Sequence, residues 1–331
     1  MARIPQPVAG IRLAVRRCLT SLPNGSLVLV ACSGGADSLA LAAATAFVAP
    51  RLDLRAGLVT VDHGLQAGSA GRAALVASWA SAAGFDPVEV ATVEVGGLPG
   101  GPEAAARSAR YAALTATASR LGALLVLLGH TRDDQAETVL LAMARGAGPR
   151  GLAGMPYRRG VLVRPLLDVA RSDTRKACAA LGLTTWEDPH NTDPAYARSR
   201  VRADALPALI GALGPGVVDN LARTAAQSAV DNAALDELAV AASAAVRVSS
   251  LAADGLAVGG LAGLLAAVRT RVLHMWAREL GAPGSALSHR HVAALDALVT
   301  DWHGQGATQL PGDISVARRD GVLVQVDRPD M

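Results

Sequence analysis

The chain has 331 residues, enough for one sizeable core and a second, smaller domain. Its apolar share of 51% is mostly alanine, leucine and valine, yet the longest purely apolar runs, such as Ala123–Leu128, fall far short of the ~20 residues a membrane helix needs. Positive charge is almost wholly arginine, Lys176 being the sole lysine, and the net charge is only +3. Cys18, Cys32 and Cys178 include no Cys-x-x-Cys pair, which argues against a disulfide scaffold and against cysteine-bound zinc or iron–sulfur.

At the N-terminus Arg3, Arg12, Arg16 and Arg17 stand among Val8, Ile11, Val15 and Cys18 at helical spacing, not as the unbroken apolar segment of a signal peptide, so a cytoplasmic location and no membrane contact are expected. Four apolar, β-branched runs follow, Leu27–Ala31, Ala56–Val61, Val88–Val95 and Ala123–Leu128, separated by stretches long enough for crossover helices. That alternation predicts an α/β fold: a parallel sheet with helices on both faces and a ligand site beyond the carboxyl ends of the strands.

The first run leads into Ser33-Gly34-Gly35-Ala36-Asp37-Ser38 and then an Ala/Leu-rich helical stretch. Two glycines let the backbone turn sharply and bring its N–H groups near an anion, and the helix start adds partial positive charge. A Walker A loop would end in Gly-Lys-Ser/Thr and a dinucleotide fingerprint would carry a third glycine, so neither is favoured; the Ser-Gly-Gly-x-Asp-Ser pattern resembles the loop of enzymes that split ATP into AMP and pyrophosphate, and an ordinary glycine turn is the bland alternative. After the second run, Asp62-His63-Gly64 reads either as a turn or as a contact to ATP through His63. Glu103–Tyr111 reads as an amphipathic helix in which Glu103 can pair with Arg107 and Tyr111, Leu114, Ala118 and Leu121 form the buried stripe.

After the fourth run, His130, Asp133, Asp134 and Glu137 fall three or four residues apart on a helix expected to start near Arg132. Carboxylates gathered there can hold Mg²⁺, pair with a substrate ammonium or accept a proton; alternatively they are a capped, solvated helix start. Arginines then cluster at Arg145, Arg150, Arg158, Arg159 and Arg164, and alternate at Arg198, Arg200 and Arg202, which puts these three on one side of an extended segment or spreads them around a helix's first turns; either way they suit a solvated surface or a clamp on nucleic-acid phosphates better than a core. Pro207 and residues 211–216 suggest a junction, giving a catalytic domain over 1–205 and a smaller, mostly helical one over 206–331, with helices over 222–245 and 289–299 and a terminal hairpin over 314–326 turning at Arg319-Asp320-Gly321.

Together these segments resemble the tRNA(Ile)-lysidine synthases, members of the PP-loop ATP pyrophosphatase superfamily with its adenine nucleotide alpha hydrolase-like fold. The matching stretches are Ser33–Ser38, Val61–Leu65, Glu103–Tyr111, His130–Thr138, Arg145–Met155, Arg164–Leu167 and Glu187–Asn191 running into Tyr196–Arg202. One departure is His190, where the family usually has serine; another is the short C-terminus after Arg202. The resemblance implies a ligase that uses ATP to activate the wobble cytidine of isoleucine tRNA and joins L-lysine to it, releasing AMP and pyrophosphate. It further implies that Ser33, Gly34, Gly35, Ala36 and Ser38, with His63 and His130, bind ATP; that Asp37 with one of Asp133 and Asp134, Asp133 being the expected ligand, holds Mg²⁺; and that Arg107 and Arg110 offset charge on the activated nucleotide. Glu137 with Asp133 or Asp134 is expected to grip lysine, and Arg145, Arg198, Arg200 and Arg202 to contact tRNA. A homodimer stays open. A tRNA thiolase would share the loop but normally uses paired cysteines, and a non-catalytic nucleotide-binding module would not need the acidic segment.

Overall fold

The structure is a computed structural model and describes residues 4–62, 64, 68–93, 102–188, 193–249, 254–284 and 286–326. His63 and His190 therefore lie outside the described residues. The chain divides into two compact units, residues 1–229 and 230–331. The boundary lies within a long helix, while the expected junction at 205/206 falls just before a proline-containing turn of helix.

The first unit opens with α1 (Gln6–Leu19), whose Val8, Ile11 and Val15 form the buried face that the helical spacing anticipates, with Leu19 buried beside them and Cys18 only partly so. Then β1 (Leu27–Ala31), α2 (Ala36–Val48), β2 (Arg55–Asp62), α3 (Ser69–Ala82), β3 (Val88–Thr92), α4 (Pro102–Leu121), β4 (Leu125–Leu128) and α5 (Arg132–Ala144) alternate in chain order. They are followed by α6 (Gly148–Leu152), a short hairpin of β5 (Arg158–Arg159) and β6 (Leu162–Val163), α7 (Arg171–Ala180), α8 (Ala197–Arg200), a π-helical turn at Val201–Ala205, α9 (Leu206–Leu213) and the first part of α10 (Val217–Val246).

The six strands lie in the order β3-β2-β1-β4-β6-β5, parallel except for the β5–β6 pair. Strand residues alternate between two cores, as a period of two requires. Val28, Val30, Leu125 and Leu127 pack with α1, α2 and α7 on one face. Leu27, Leu29, Val59, Val126 and Leu128 pack with Leu114 and Ala118 of α4 on the other. Helices thus cover both faces, as the strand–helix alternation predicts. Removing a fully buried side chain such as Leu127 to alanine costs about 2–5 kcal/mol at sites of this kind.

Chain order and spatial order diverge at β1, which has β2 on one side and β4 on the other. In register, Ala31 at the end of β1 faces both Val59 of β2 and Leu128 of β4. The loops leaving β1 and β4 therefore start level with each other, at the switch point where α/β sheets open a crevice.

The second unit carries the end of α10, then β7 (Arg247–Ser249), β8 (Asp254–Ala257), α11 (Val258–Ala262), α12 (Ala266–Glu279), α13 (His289–Thr300), β9 (Thr308–Leu310), β10 (Ile314–Arg319) and β11 (Val322–Val326). The expected hairpin forms, with Asp320 and Gly321 both at positive φ in its two-residue turn. It is, however, the middle of a five-stranded antiparallel sheet, β7-β8-β11-β10-β9, so this unit holds more strand than its helical periodicity suggests. The helices pack on that sheet around Leu256, Val272, Leu273, Trp276, Leu295 and Leu298.

Candidate active site

The loop after β1 turns at Gly34, whose φ of +84° suits glycine, and a Cβ there would sit 3.1 Å from Val76 of α3. Ser38 ties the loop internally: its hydroxyl accepts from the Ser33 N–H at 3.2 Å and donates to the Gly35 carbonyl at 2.9 Å. Next to it, Gly129 at the end of β4 lies so close that a Cβ would be 3.0 Å from the backbone of Asp37 and Ser38. Only a residue without a side chain lets the two strand ends approach this way. The first turn of α2 begins at Ala36, so the loop delivers unpaired helix N–H groups and the positive end of the helix dipole to an anion.

A cavity of about 670 Å³ opens beside this loop. Ser33, Gly35, Asp37 and Ser38 form one wall, His130 and Asp134 a second, and Tyr111, Arg110, Arg171 and Arg202 much of the rest. The His130 Nδ1 is out of water and without a hydrogen-bond partner among the described residues. Burial pushes this histidine down to about 3, with Arg164, Arg107 and Arg110 adding to that and Asp134 opposing it, so it is neutral at physiological pH. His130 as a residue lines the cavity beside the phosphate loop, where its ring can meet a nucleotide.

The acidic segment behaves differently at each position. Thr131 caps α5: its N–H and hydroxyl both donate to Asp134 Oδ2, each at 2.8 Å. Asp133 turns away from the cavity and accepts from the Arg171 N–H at 2.8 Å, fastening the first residue of α7. The expectation that Asp133 stands beside Asp37 as a metal ligand is thus not met by its geometry; Asp134 is the carboxylate that shares the cavity wall with Asp37. Glu137, one turn further on, is 0% exposed. Its Oε1 accepts from Arg171 Nη1 at 2.9 Å and Arg202 Nε at 2.8 Å, and its Oε2 from Arg202 Nη2 at 3.1 Å, with Arg198 Nε at 3.7 Å. Arg171 Nη2 also reaches Asp134 Oδ1 at 2.7 Å. Burial acts to raise Asp134, but Arg171, the Thr131 hydrogen bonds and His130 outweigh it and hold its carboxyl below the usual range.

Asp37 is the exception. Its carboxylate accepts from the Thr174 hydroxyl and lies 3.7 Å from Arg171 Nε, yet burial, reinforced by Asp134, pushes it up to about 6. A carboxylate short of countercharge, in the first turn of a helix facing a phosphate site, has the donor chemistry of an oxygen-loving cation's ligand.

Residues 12–209 match the PP-loop domain family and residues 256–324 the TilS substrate binding domain family. Along nearly its whole length the chain is similar to curated tRNA(Ile)-lysidine synthases. It is 68% identical to that of Salinispora arenicola over 99% of this chain and 98% of the relative, and 58% identical to that of Thermobifida fusca over 98% and 99%. The chain belongs to the tRNA(Ile)-lysidine synthase family. The protein of that name from Streptomyces coelicolor is 53% identical over 97% of this chain and 98% of its own. A solved U34-tRNA thiolase of Methanococcus maripaludis shares the fold, with a TM-score of 0.54 at 18% identity over 67% of this chain and 79% of that one.

For a lysidine synthase fold, the expected site residues divide clearly. Ser33–Ser38, His130, Asp134 and Glu137 converge. Arg107 donates to the Tyr111 hydroxyl at 3.1 Å just behind the cavity wall, and Arg110 is exposed on it. Arg145 is exposed at the end of α5. Arg198, Arg200 and Arg202 do not form an outward tract: Arg198 and Arg202 point inward onto Glu137, and Arg200 donates to the carbonyls of Pro194 and Ala195. Helical geometry explains this, because residues four apart share a face and the middle one does not. Arg171 and Thr174 are absent from the sequence reading; their only signal is a pair of polar residues on the face of α7 that also buries Ala177 and Cys178. The three thiols do not converge, since Cys18 meets Tyr157 whereas Cys32 and Cys178 flank the phosphate loop.

Proposed function

We propose that this protein joins L-lysine to the wobble cytidine of isoleucine tRNA at the expense of ATP, which it splits into AMP and pyrophosphate. One observation carries the reading: the open phosphate loop after β1 and Asp134 after β4 line one cavity, and buried Glu137 is joined to Asp134 through Arg171 and Arg202. Gly35, Ala36, Asp37 and Ser38 offer backbone N–H groups to the phosphates, and His130 offers a neutral imidazole nitrogen. Asp37 is the residue best suited to hold Mg²⁺, which when bound neutralises phosphate charge. Asp134 stands next to it, but both its oxygens are already engaged.

Lysine is assigned to the Asp134–Glu137 pair. The outermost cation there is Arg202, whose side chain is 31% exposed and lies on the cavity wall, against 13% for Arg171. An incoming ammonium takes over bonds that Arg202 makes to Glu137, which keeps the buried carboxylates paired throughout, as their burial requires. Held there, the amine is oriented as well as charge-matched. Exposed Arg110 and Arg145 are the arginines assigned to tRNA phosphates.

The test is direct. With ATP, labelled lysine and either isoleucine or methionine tRNA, label enters isoleucine tRNA only, with AMP released in proportion. AMP release that ignores lysine, or label on both tRNAs, overturns the reading.

A further inference from the structure

The segment before Glu187 crosses the phosphate loop, and two side chains outside the roles assigned above hold it there. The Trp186 N–H donates to the Gly34 carbonyl at 2.9 Å. A trans peptide points its C=O and N–H in opposite directions, so fastening the Gly34 carbonyl to Trp186 turns the Gly35 N–H away from Trp186. Gly35 lies on the cavity wall, and its N–H has no partner among the described residues. The bond therefore sets the orientation of one of the donors an anion would meet.

The Trp186 side chain is fixed in turn. The Arg72 guanidinium of α3 lies over the indole ring, 3.2 Å from its centroid. One turn along the same face of α3, Val76 also lies against Gly34: the point a Gly34 Cβ would occupy is 3.1 Å from Val76 and 3.9 Å from the Trp186 Cβ. Both Arg72 and Trp186 line the cavity. Gly34 is thus held by contacts from α3 and from the Trp186 segment, and the Arg72–Trp186 stack ties those two elements together.

We propose that Arg72 and Trp186 form a positioning clamp that keeps the phosphate loop in its anion-receiving shape and so sets the affinity for the nucleoside triphosphate. Arg72 acts through Trp186, not on the phosphates. The proposal rests on the reading of Ser33–Ser38 as the ATP loop.

The experiment measures binding of labelled ATP with Mg²⁺ by equilibrium dialysis, without tRNA, and ATP KM and kcat in the lysine-transfer assay, on the full chain. Trp186→Ala and Arg72→Ala are each expected to weaken ATP binding and raise its KM by roughly three- to thirtyfold, the range of a cation–π pair from exposed to desolvated, with kcat at saturating ATP within about twofold of wild type. Trp186→Phe, which keeps a ring under the guanidinium, recovers most of the loss. In the double alanine variant the losses do not multiply, because each single change already breaks the same clamp. Should Trp186→Ala fail to fold, the half-exposed Arg72→Ala with Trp186→Phe carries the comparison. Unchanged ATP affinity in the alanine variants overturns the clamp, as does a lowered kcat at unchanged KM. Losses that multiply in the double variant also overturn it, since Arg72 would then act on the nucleotide directly. A wild-type protein that binds no ATP overturns the loop reading instead.

Discussion

Asp37→Asn tests the electrostatics of the site most sharply, because it is expected to stabilise the protein while abolishing its turnover. In the folded protein Asp37 titrates at about 6 instead of 3.8, first because it is buried and next because Asp134 lies near. A folded value above the unfolded one means that the protonated carboxyl is the favoured form. Its contribution to stability is complete below about pH 4 and is lost as the pH rises through about 6. A rise from 3.8 to about 6 corresponds to a loss of up to roughly 3 kcal/mol by neutral pH. Asparagine keeps an oxygen for the Thr174 hydroxyl and never charges, so without nucleotide or Mg²⁺ the variant gains about 1–3 kcal/mol over wild type at pH 7–8. For a unit of this size that is a Tm increase of roughly 2–12 °C.

Urea unfolding of both proteins across pH 4–8, in chelator, reads the difference. It is small at pH 4, grows through about pH 4–6 and levels off above that. A variant less stable than wild type at pH 8, or a gap that does not change with pH, refutes the reasoning. AMP formation by the variant is expected to be lost, since an amide offers a cation only a neutral oxygen and none of the carboxylate's charge.

Other substitutions separate the remaining roles. Glu137→Ala leaves Arg171 and Arg202 without their shared carboxylate and is expected to cost about 3–5 kcal/mol, read by thermal unfolding. The milder Glu137→Gln keeps an acceptor and is expected to raise the lysine KM more than the ATP KM; equal effects on both would move the lysine site elsewhere. Gly34→Ala forces a side chain to a φ of +84° and against Val76, at a cost of at least about 1–2 kcal/mol in the loop, and is expected to weaken ATP binding tenfold or more in dialysis. Arg145→Ala, at an exposed position, is expected to lower the log–log salt slope of tRNA binding by about one with stability unchanged within about 0.5 kcal/mol, whereas Arg198→Ala lowers the Tm.

How far the site was legible from sequence depended on how local its causes are. The β1–loop–α2 unit, the Thr131 start of α5 and the Asp320-Gly321 turn follow from spacing and turn chemistry within a few residues. So does the two-faced sheet, because each of its first four strands carries its own apolar run. What spacing could not supply is where a side chain ends up once distant segments meet. Asp133 and Asp134 are adjacent in sequence, yet one fastens α7 and the other faces the cavity, a division set by where α7 arrives. The second unit's sheet is not legible from spacing for a related reason. Its β7, β8 and β9 span three or four residues each, too short for an alternation to register, and they exist through pairing with β10 and β11.

The arginines show how far composition can mislead about a nucleic-acid partner. Arginine-rich tracts read as phosphate contacts when only the sequence is in view, but a guanidinium already bonded to a buried carboxylate offers little field to RNA. Arg171, Arg198 and Arg202 are committed to Asp134 and Glu137, and in the other unit Arg269 bonds Asp296 and Arg271 bonds Asp236. These pairs cancel charge inside the fold, so a net charge of +3 says almost nothing about the surface an RNA meets. The alternation at positions 198, 200 and 202 looks like a clamp on an extended segment or a helix alike as long as no acidic partner is in view. On the helix that forms, it places two arginines on the acidic pair and leaves one on loop carbonyls. The same commitment bears on the proposed lysine site: in that reading a substrate ammonium enters by replacing one of these cations, so that the buried carboxylates are never left unpaired.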